Sequence, residues 1–151
     1  MPKFVVQHHQ ARALHYDLRL EIDGVGKSWA VPKGPSLDPA QKRLAIAVGD
    51  HDLDYFGFEG LHDGGGGAII WDEGTVEFPD GPVADPAAGS FDFVLHGIKL
   101  QGRFTLRKTK RGNDWILFKR TDEFVDRGES ITKARPESVR SGLTIEELLP
   151  R

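Results

Sequence analysis

Three of the six histidines of this chain fall within "QHHQARALHYDLRLE", Gln7 to Glu21, beside Asp17, Arg19 and Glu21. His15 and Asp17, two residues apart, form an HxD pair. Imidazole and carboxylate held by a rigid strand suit Mn, Fe, Zn or Co. His9 lies six residues upstream, where a preceding turn would bend it over the same site, and His51 in "GDHDLDY" is a further candidate from elsewhere in the fold. Arg19, Lys33 and Arg43 are candidate phosphate binders, since Arg presents a planar fork and Lys a point charge. Against this stands the bland alternative: a single HxD pair is a common accident, and charged residues on an alternating strand usually face water. The extra histidines and Arg19 on the same face weigh for a site. "DGGGG" (Asp63 to Gly67) lacks the Lys-Ser/Thr ending of a phosphate loop and reads as a strand connection. No Ser-His-Asp order stands out, so metal-assisted chemistry is the leading enzymatic option.

Positioning these groups requires strands. From Leu14 to Ile22, Leu14, Tyr16, Leu18, Leu20 and Ile22 alternate with His15, Asp17, Arg19 and Glu21, so a strand gathers all four polar side chains on one face. Asp23-Gly24 is a two-residue hairpin signal, and Val25 to Val31 supplies the returning strand. Further strands are expected at Arg43–Val48, Gly67–Asp72, Gly74–Phe78, Phe91–Leu95, Gly102–Thr109 and Asp114–Arg120, with a turn at "RGN" before Asp114. Pro79 to Ser90 reads as a long exposed loop. Trp29, Trp71 and Trp115 lie in strand-like stretches and are read as core. Thr144 and Glu147 form a capping box for a short C-terminal helix. The expected fold is mainly β: one domain over residues 1–151, about eight short strands forming a compact barrel or a sandwich.

The 151 residues suffice for one core without disulfides. Absence of cysteine excludes a disulfide framework, a Cys-based zinc site and a thiolate nucleophile. No apolar run approaches the roughly 20 residues that cross a bilayer, and no signal-peptide pattern is present, so a cytoplasmic location without membrane attachment is expected. A net charge of −3 argues against a surface coated in positive charge, but not against basic residues concentrated in one cleft.

The stretch "FVVQHHQARALHYDLRLEIDGVGKSWAVPKGPSLDPAQKRLAIAVGDHDLDYFGFEG" resembles the 3'-phosphoesterase domain of bacterial DNA ligase D, a family with stand-alone bacterial and archaeal relatives. The likeness continues through "WDEGT", "LHGIKLQGRFTLRKT", "DWILFK" and "RPESVRSGLTIEEL". It implies a β-barrel with a Mn-dependent site, with Co or Zn as other candidate ions. It implies removal of a terminal ribonucleoside from a primer 3' end, leaving a 3'-phosphate, and hydrolysis of that phosphate. The substrates would be primer–template 3' ends in nonhomologous end joining, beside a ligase, a polymerase and Ku. By the same resemblance His9, His15 and Asp17 match metal ligands; Arg19, Lys33, Arg43, His51 and Tyr55 match residues around the scissile phosphate; and Gln7 matches a supporting polar residue. The implied roles are charge neutralisation by the metal, Arg19, Lys33 and Arg43, with His51 as proton or hydrogen-bond donor.

The sequence departs from the family in three places. The family has a longer arm before "FVVQ", where this sequence has Met1 to Lys3; a Glu commonly stands where this chain has Gly49; and the stretch after "FEG" is shortened to Leu61–Ala68. These bear on substrate grip and on the balance of the two steps. Two rival readings stand beside this one. His15 and Asp17 with a distant histidine also suit an Fe(II) facial-triad oxygenase, and a non-catalytic module could bind DNA ends for a ligase.

Overall fold

The computed structural model describes residues 1–83 and 85–150. Its strands are β1 (Lys3–Gln10), β2 (Leu14–Ile22), β3 (Val25–Val31), β4 (Arg43–His51), β5 (Gly60–Leu61), β6 (Gly67–Glu77), β7 (Phe91–Gly97), β8 (Gln101–Lys108) and β9 (Asp114–Lys119). Eight of them close an antiparallel barrel in the order β1-β2-β3-β4-β9-β8-β7-β6, with β6 returning to β1 and the two-residue β5 added to β6. Closure leaves none of the eight with a fully open edge. Only two short helices occur among the described residues, α1 (Ile131–Ala134) and α2 (Ile145–Leu148), besides a 3₁₀ turn at Leu53–Gly57. The expected capping box is present: Glu147 N–H donates to Thr144 Oγ1 (3.2 Å), and Thr144 N–H donates to Glu147 Oε1 (3.0 Å).

Alternation places Phe4, Val6, Leu18 and Leu20 in the interior core with Trp29, Trp71 and Trp115. The hairpin at Asp23 (φ 54°) and Gly24 (φ 76°) has the two positive φ values of a type I′ turn. Two expectations are corrected. Gly67–Asp72 and Gly74–Phe78 are one continuous strand, β6. Its register against β1 slips between Val6 and Gln7, so Trp71 is the extra residue of a bulge, and a bulge lets one strand bend without ending. His9, placed in a turn by its distance from His15, belongs to β1 and pairs directly with His15 across the sheet. The run Phe4-Val5-Val6 hid this strand because it does not alternate. Val5 faces outward yet is fully buried, packed with Phe56 and Ile70 beneath the segment that carries the 3₁₀ turn. That segment covers the outer face of β1 and β2, and it determines where the polar residues end up. No helix among the described residues is long and apolar enough to cross a membrane.

Candidate active site

The polar face of β2 is on the outside of the barrel and is nevertheless largely withdrawn from water. Asp17 is 4% exposed and Arg19 2%. Both lie beneath residues 52–62, tied down by Gln7: its Nε2 donates to the carbonyls of Tyr55 (2.9 Å) and Phe58 (3.1 Å). With both N–H groups committed, Gln7 Oε1 is left to accept from Arg19 Nε at 2.7 Å. The remaining Arg19 donors reach Ser28 Oγ (2.8 Å), His51 Nδ1 (2.9 Å) and Asp17 Oδ2 (3.3 Å), and the Tyr55 ring lies over the guanidinium at 5.0 Å. Four of the five N–H groups of the fork are thereby held.

On its other side Asp17 meets two imidazoles. His9 Nδ1 lies 3.0 Å from Oδ2, and His15 Nε2 lies 3.2 Å from Oδ1. One donor atom from each of His9, His15 and Asp17 falls within 4.8 Å of the others. Bonds of about 2.1 Å to a common ion would bring neighbouring ligand atoms to roughly 3 Å, so this triad fits a divalent transition metal with little movement. The outer contacts fit too: His15 Nδ1–H donates to the Ala13 carbonyl at 3.0 Å, which leaves Nε2 facing Asp17, as a hydrogen-bond donor when the ring is protonated and as a lone pair for a metal when it is not. Burial alone would raise the Asp17 carboxyl, but hydrogen bonds from His15 and His9 and the charge of Arg19 outweigh it and hold the group well below the ordinary range. The hydrogen bond to Asp17 raises the pKa of His15, so proton and cation compete for one nitrogen.

His51 owes its place to a bulge. Ser28 pairs with Val48, but Gly26 pairs with His51, one residue further along β4 than regular register allows. The extra residue exchanges the faces of Asp50 and His51 and turns the imidazole toward Arg19. Gly26 is required there, since a Cβ would lie 2.6 Å from Phe56 Cε1. A guanidinium can only donate, so His51 Nδ1 accepts and the neutral ring carries its proton on Nε2. Burial, then the charge of Arg19, lower the His51 pKa and favour this neutral form.

Gln7, His9, His15, Asp17, Arg19, His51 and Tyr55 therefore form one connected network. Lys33 and Arg43 do not join it. Lys33 is exposed two residues beyond Val31, which pairs with Tyr16, and so sits at the end of the barrel where His15 lies. Arg43 is half-buried and donates from Nε to Gly34 O (3.1 Å), tying itself to the loop that carries Lys33. Three contributors escaped the sequence reading. Ser28 has no signal beyond its place in β3. Phe58 and His62 continue a row of rings: Tyr55 on Phe58 (5.2 Å), Phe58 on His62 (5.1 Å), His62 against His9 (5.0 Å). The shortened loop sets His62 there, with His62 N–H donating to Gly66 O at 3.0 Å; Gly66 has φ 78°, and a Cβ on it would lie 2.2 Å from Gln10 O. His8, the third histidine of the opening stretch, points inward, stacks on Tyr16 at 4.0 Å and has its pKa lowered to about 4 by burial.

Residues 7–108 match the DNA ligase D 3'-phosphoesterase domain. The chain is 48% identical, over 99% of its length, to the multifunctional non-homologous end joining protein LigD of Pseudomonas aeruginosa. It is 39% identical over 95% of its length to the protein of the same name from Mycolicibacterium smegmatis, and 44% identical over 75% to the non-homologous end joining DNA repair protein LigD of Mycobacterium tuberculosis. The matched region spans only 18%, 19% and 15% of those relatives. The chain belongs to the DNA ligase D 3'-phosphoesterase domain family.

Proposed function

We propose that this chain is a divalent-metal-dependent phosphoesterase that trims DNA 3' ends, removing a terminal ribonucleoside and then the 3'-phosphate left behind. The observation that carries this reading is Asp17, shared between two imidazoles on one side and the Arg19 fork on the other. Arg19 already neutralises the Asp17 carboxylate, so a divalent ion held by His9, His15 and Asp17 would leave the site about two charges positive. That matches a phosphate monoester dianion. Two imidazoles and one carboxylate are not the all-oxygen set preferred by Mg or Ca, and Mn is placed ahead of Co and Zn by the family resemblance alone. When bound, such an ion draws charge from a phosphoryl oxygen and eases attack at phosphorus.

The chain's own groups do the rest. Arg19, locked by Gln7, Ser28 and His51, stays in place as charge develops, so little reorganisation is needed at the moment of reaction. His51 offers Nε2–H to the phosphate or the leaving oxygen, a role that requires the neutral tautomer its Arg19 contact selects. Tyr55 fixes the guanidinium plane from above. Lys33 and Arg43, at the same end of the barrel, meet the substrate's phosphates as it arrives. The names of the relatives support a setting in non-homologous end joining; a ligase, a polymerase and Ku as neighbours, and a cytoplasmic location, are part of the proposal. A facial-triad oxygenase is disfavoured because a buried guanidinium backs the carboxylate. A purely binding module is disfavoured because the full ligand set is present.

The decisive assay incubates a primer–template duplex carrying one 3'-terminal ribonucleotide with the protein and Mn, and resolves products by length and end chemistry. A primer one nucleoside shorter, first with a 3'-phosphate and then with a 3'-hydroxyl, is expected. Asp17→Ala and excess chelator should each abolish both products. Full activity in chelator would overturn the metal assignment, and binding without turnover would return the reading to an end-binding module.

A further inference from the structure

On the outer face of β4, β9 and β8, away from the Asp17 network, three cations converge on one aromatic ring. Lys42 Nζ lies 5.4 Å from the Phe118 centroid, Arg107 Cζ 5.0 Å and Arg120 Cζ 5.8 Å. All three residues are exposed, whereas Phe118 is 8% exposed. None of the three has a carboxylate partner among the described residues. Asp92, which feels the charge of Arg120, is hydrogen-bonded by Arg103 and Thr105, and Asp122 is paired with Lys119. Three like charges gathered with no ion-pair partner of their own repel one another, and in a chain of net charge −3 their grouping is a local excess. The ring holds their stems in place and reduces the side-chain freedom that binding would otherwise remove.

Register connects this patch to the proposed site. Arg43 pairs with Leu117, so Lys42 lies alongside Phe118, and Phe118 to Arg120 run on past the start of β4. Arg43 itself is tied to the Lys33 loop at the end of the barrel where His15 lies. A band of positive charge thus leads from Lys33 and Arg43 to Lys42, Arg120 and Arg107. Successive outward residues of a strand are about 6.8 Å apart, similar to the spacing of phosphates along one nucleic-acid strand.

We infer that Lys42, Arg107 and Arg120 form a backbone-contact surface for the duplex behind the 3' end, separate from the residues that would act on the end itself. This rests on the proposed function for its ligand class. It is a surface that reads charge and not sequence: the cations sit around a ring on an open sheet face, with no carboxamide among them to read a base edge.

The test uses the full chain and a fluorescein-labelled primer–template duplex in EDTA, with binding followed by anisotropy across a KCl series. Each neutralised phosphate contributes about 0.9 to the slope of log K against log salt. The variant K42A/R107A/R120A should therefore lose about 2 to 3 from that slope and bind at least tenfold more weakly at low salt. A second variant, R107K/R120K, keeps the charges and should keep the slope, which separates loss of charge from misfolding. With Mn, hydrolysis of a 3'-phosphorylated mononucleotide should be unchanged in both. An unaltered slope in the triple variant overturns the inference, as does an equal loss in R107K/R120K. So does equally tight, equally patch-dependent binding of polyglutamate, which would mark the surface as a dock for acidic protein. Duplex binding with the expected slope but no end processing would leave the patch standing and remove the proposed activity; the reverse would remove the patch alone.

Discussion

Replacing Arg19 by Met separates the positive charge of the site from its metal. Met keeps an unbranched apolar stem but ends short of the guanidinium and has no donor, leaving Gln7 Oε1 and Asp17 Oδ2 without their guanidinium partner. Removing one member of a buried pair costs about 3–5 kcal/mol. The lower end applies here, because His9 and His15 still hydrogen-bond Asp17. At about 2–4 °C per kcal/mol for a chain of this size, Tm of the metal-free protein should fall by roughly 6–12 °C. Mn affinity should move the other way. Arg19 Nη2 is 3.3 Å from Asp17 Oδ2, which puts it about 5 Å from an ion bound to that carboxylate. At an effective dielectric of about 20, that repulsion is about 6.6 kcal/mol. Solvent on the open side removes much of it, and even a quarter of the repulsion would tighten the Kd for Mn about tenfold. Turnover should fall about 10²- to 10³-fold, the scale of one preorganised charge lost. Calorimetric melts with and without Mn, Mn titration by isothermal calorimetry and the 3'-end assay give the three readings. Weakened Mn binding in a folded R19M protein would refute the reasoning: Arg19 would then be organising Asp17 for the metal and not standing as an independent charge.

Other perturbations probe neighbouring parts of the site. Because Asp17 raises the His15 pKa above 6.5, Mn must displace a proton; its affinity should climb with pH up to the His15 pKa and then level off, and calorimetric titrations flat from pH 5 to 8 would contradict this. The metal-free protein has the opposite preference. His15 adds stability that is complete below its unfolded pKa near 6.5 and is lost as pH rises through the folded value, whereas the Asp17 contribution is present above about 3.8 and is lost as pH falls through the lowered folded value. Melts of the metal-free chain should therefore peak between roughly pH 4 and 6.5, and Mn should shift the optimum upward. Arg43→Ala should retain Mn binding while losing about a hundredfold in turnover; loss of the metal would contradict its separation from the Asp17 network. His62→Ala removes the ring against His9 and should weaken Mn binding severalfold, with His62→Phe restoring it, as paramagnetic resonance of bound Mn can follow.

The alternation Leu14 to Ile22 and the Asp23-Gly24 turn determined by themselves that His15, Asp17 and Arg19 share a face, because the period of a strand is a local property. The short strands and closely spaced turns likewise announced a barrel or a sandwich, and resemblance together with the closure of β6 onto β1 decided for the barrel. Resemblance supplied the roles of Gln7 and Tyr55, which no spacing could. Tertiary structure decided what surrounds that face. Whether an outward carboxylate meets water or a guanidinium depends on residues 52–62 folding over it, a contact about forty positions away along the chain. The partnership of His9 with His15 depended on a β1 masked by double-sided burial of Val5. The aim of His51 depended on a one-residue bulge, and the approach of His62 on a glycine turn whose conformation no periodicity encodes. Pairing between distant strands sets these arrangements, and local sequence carries only the half of each pair that it contains.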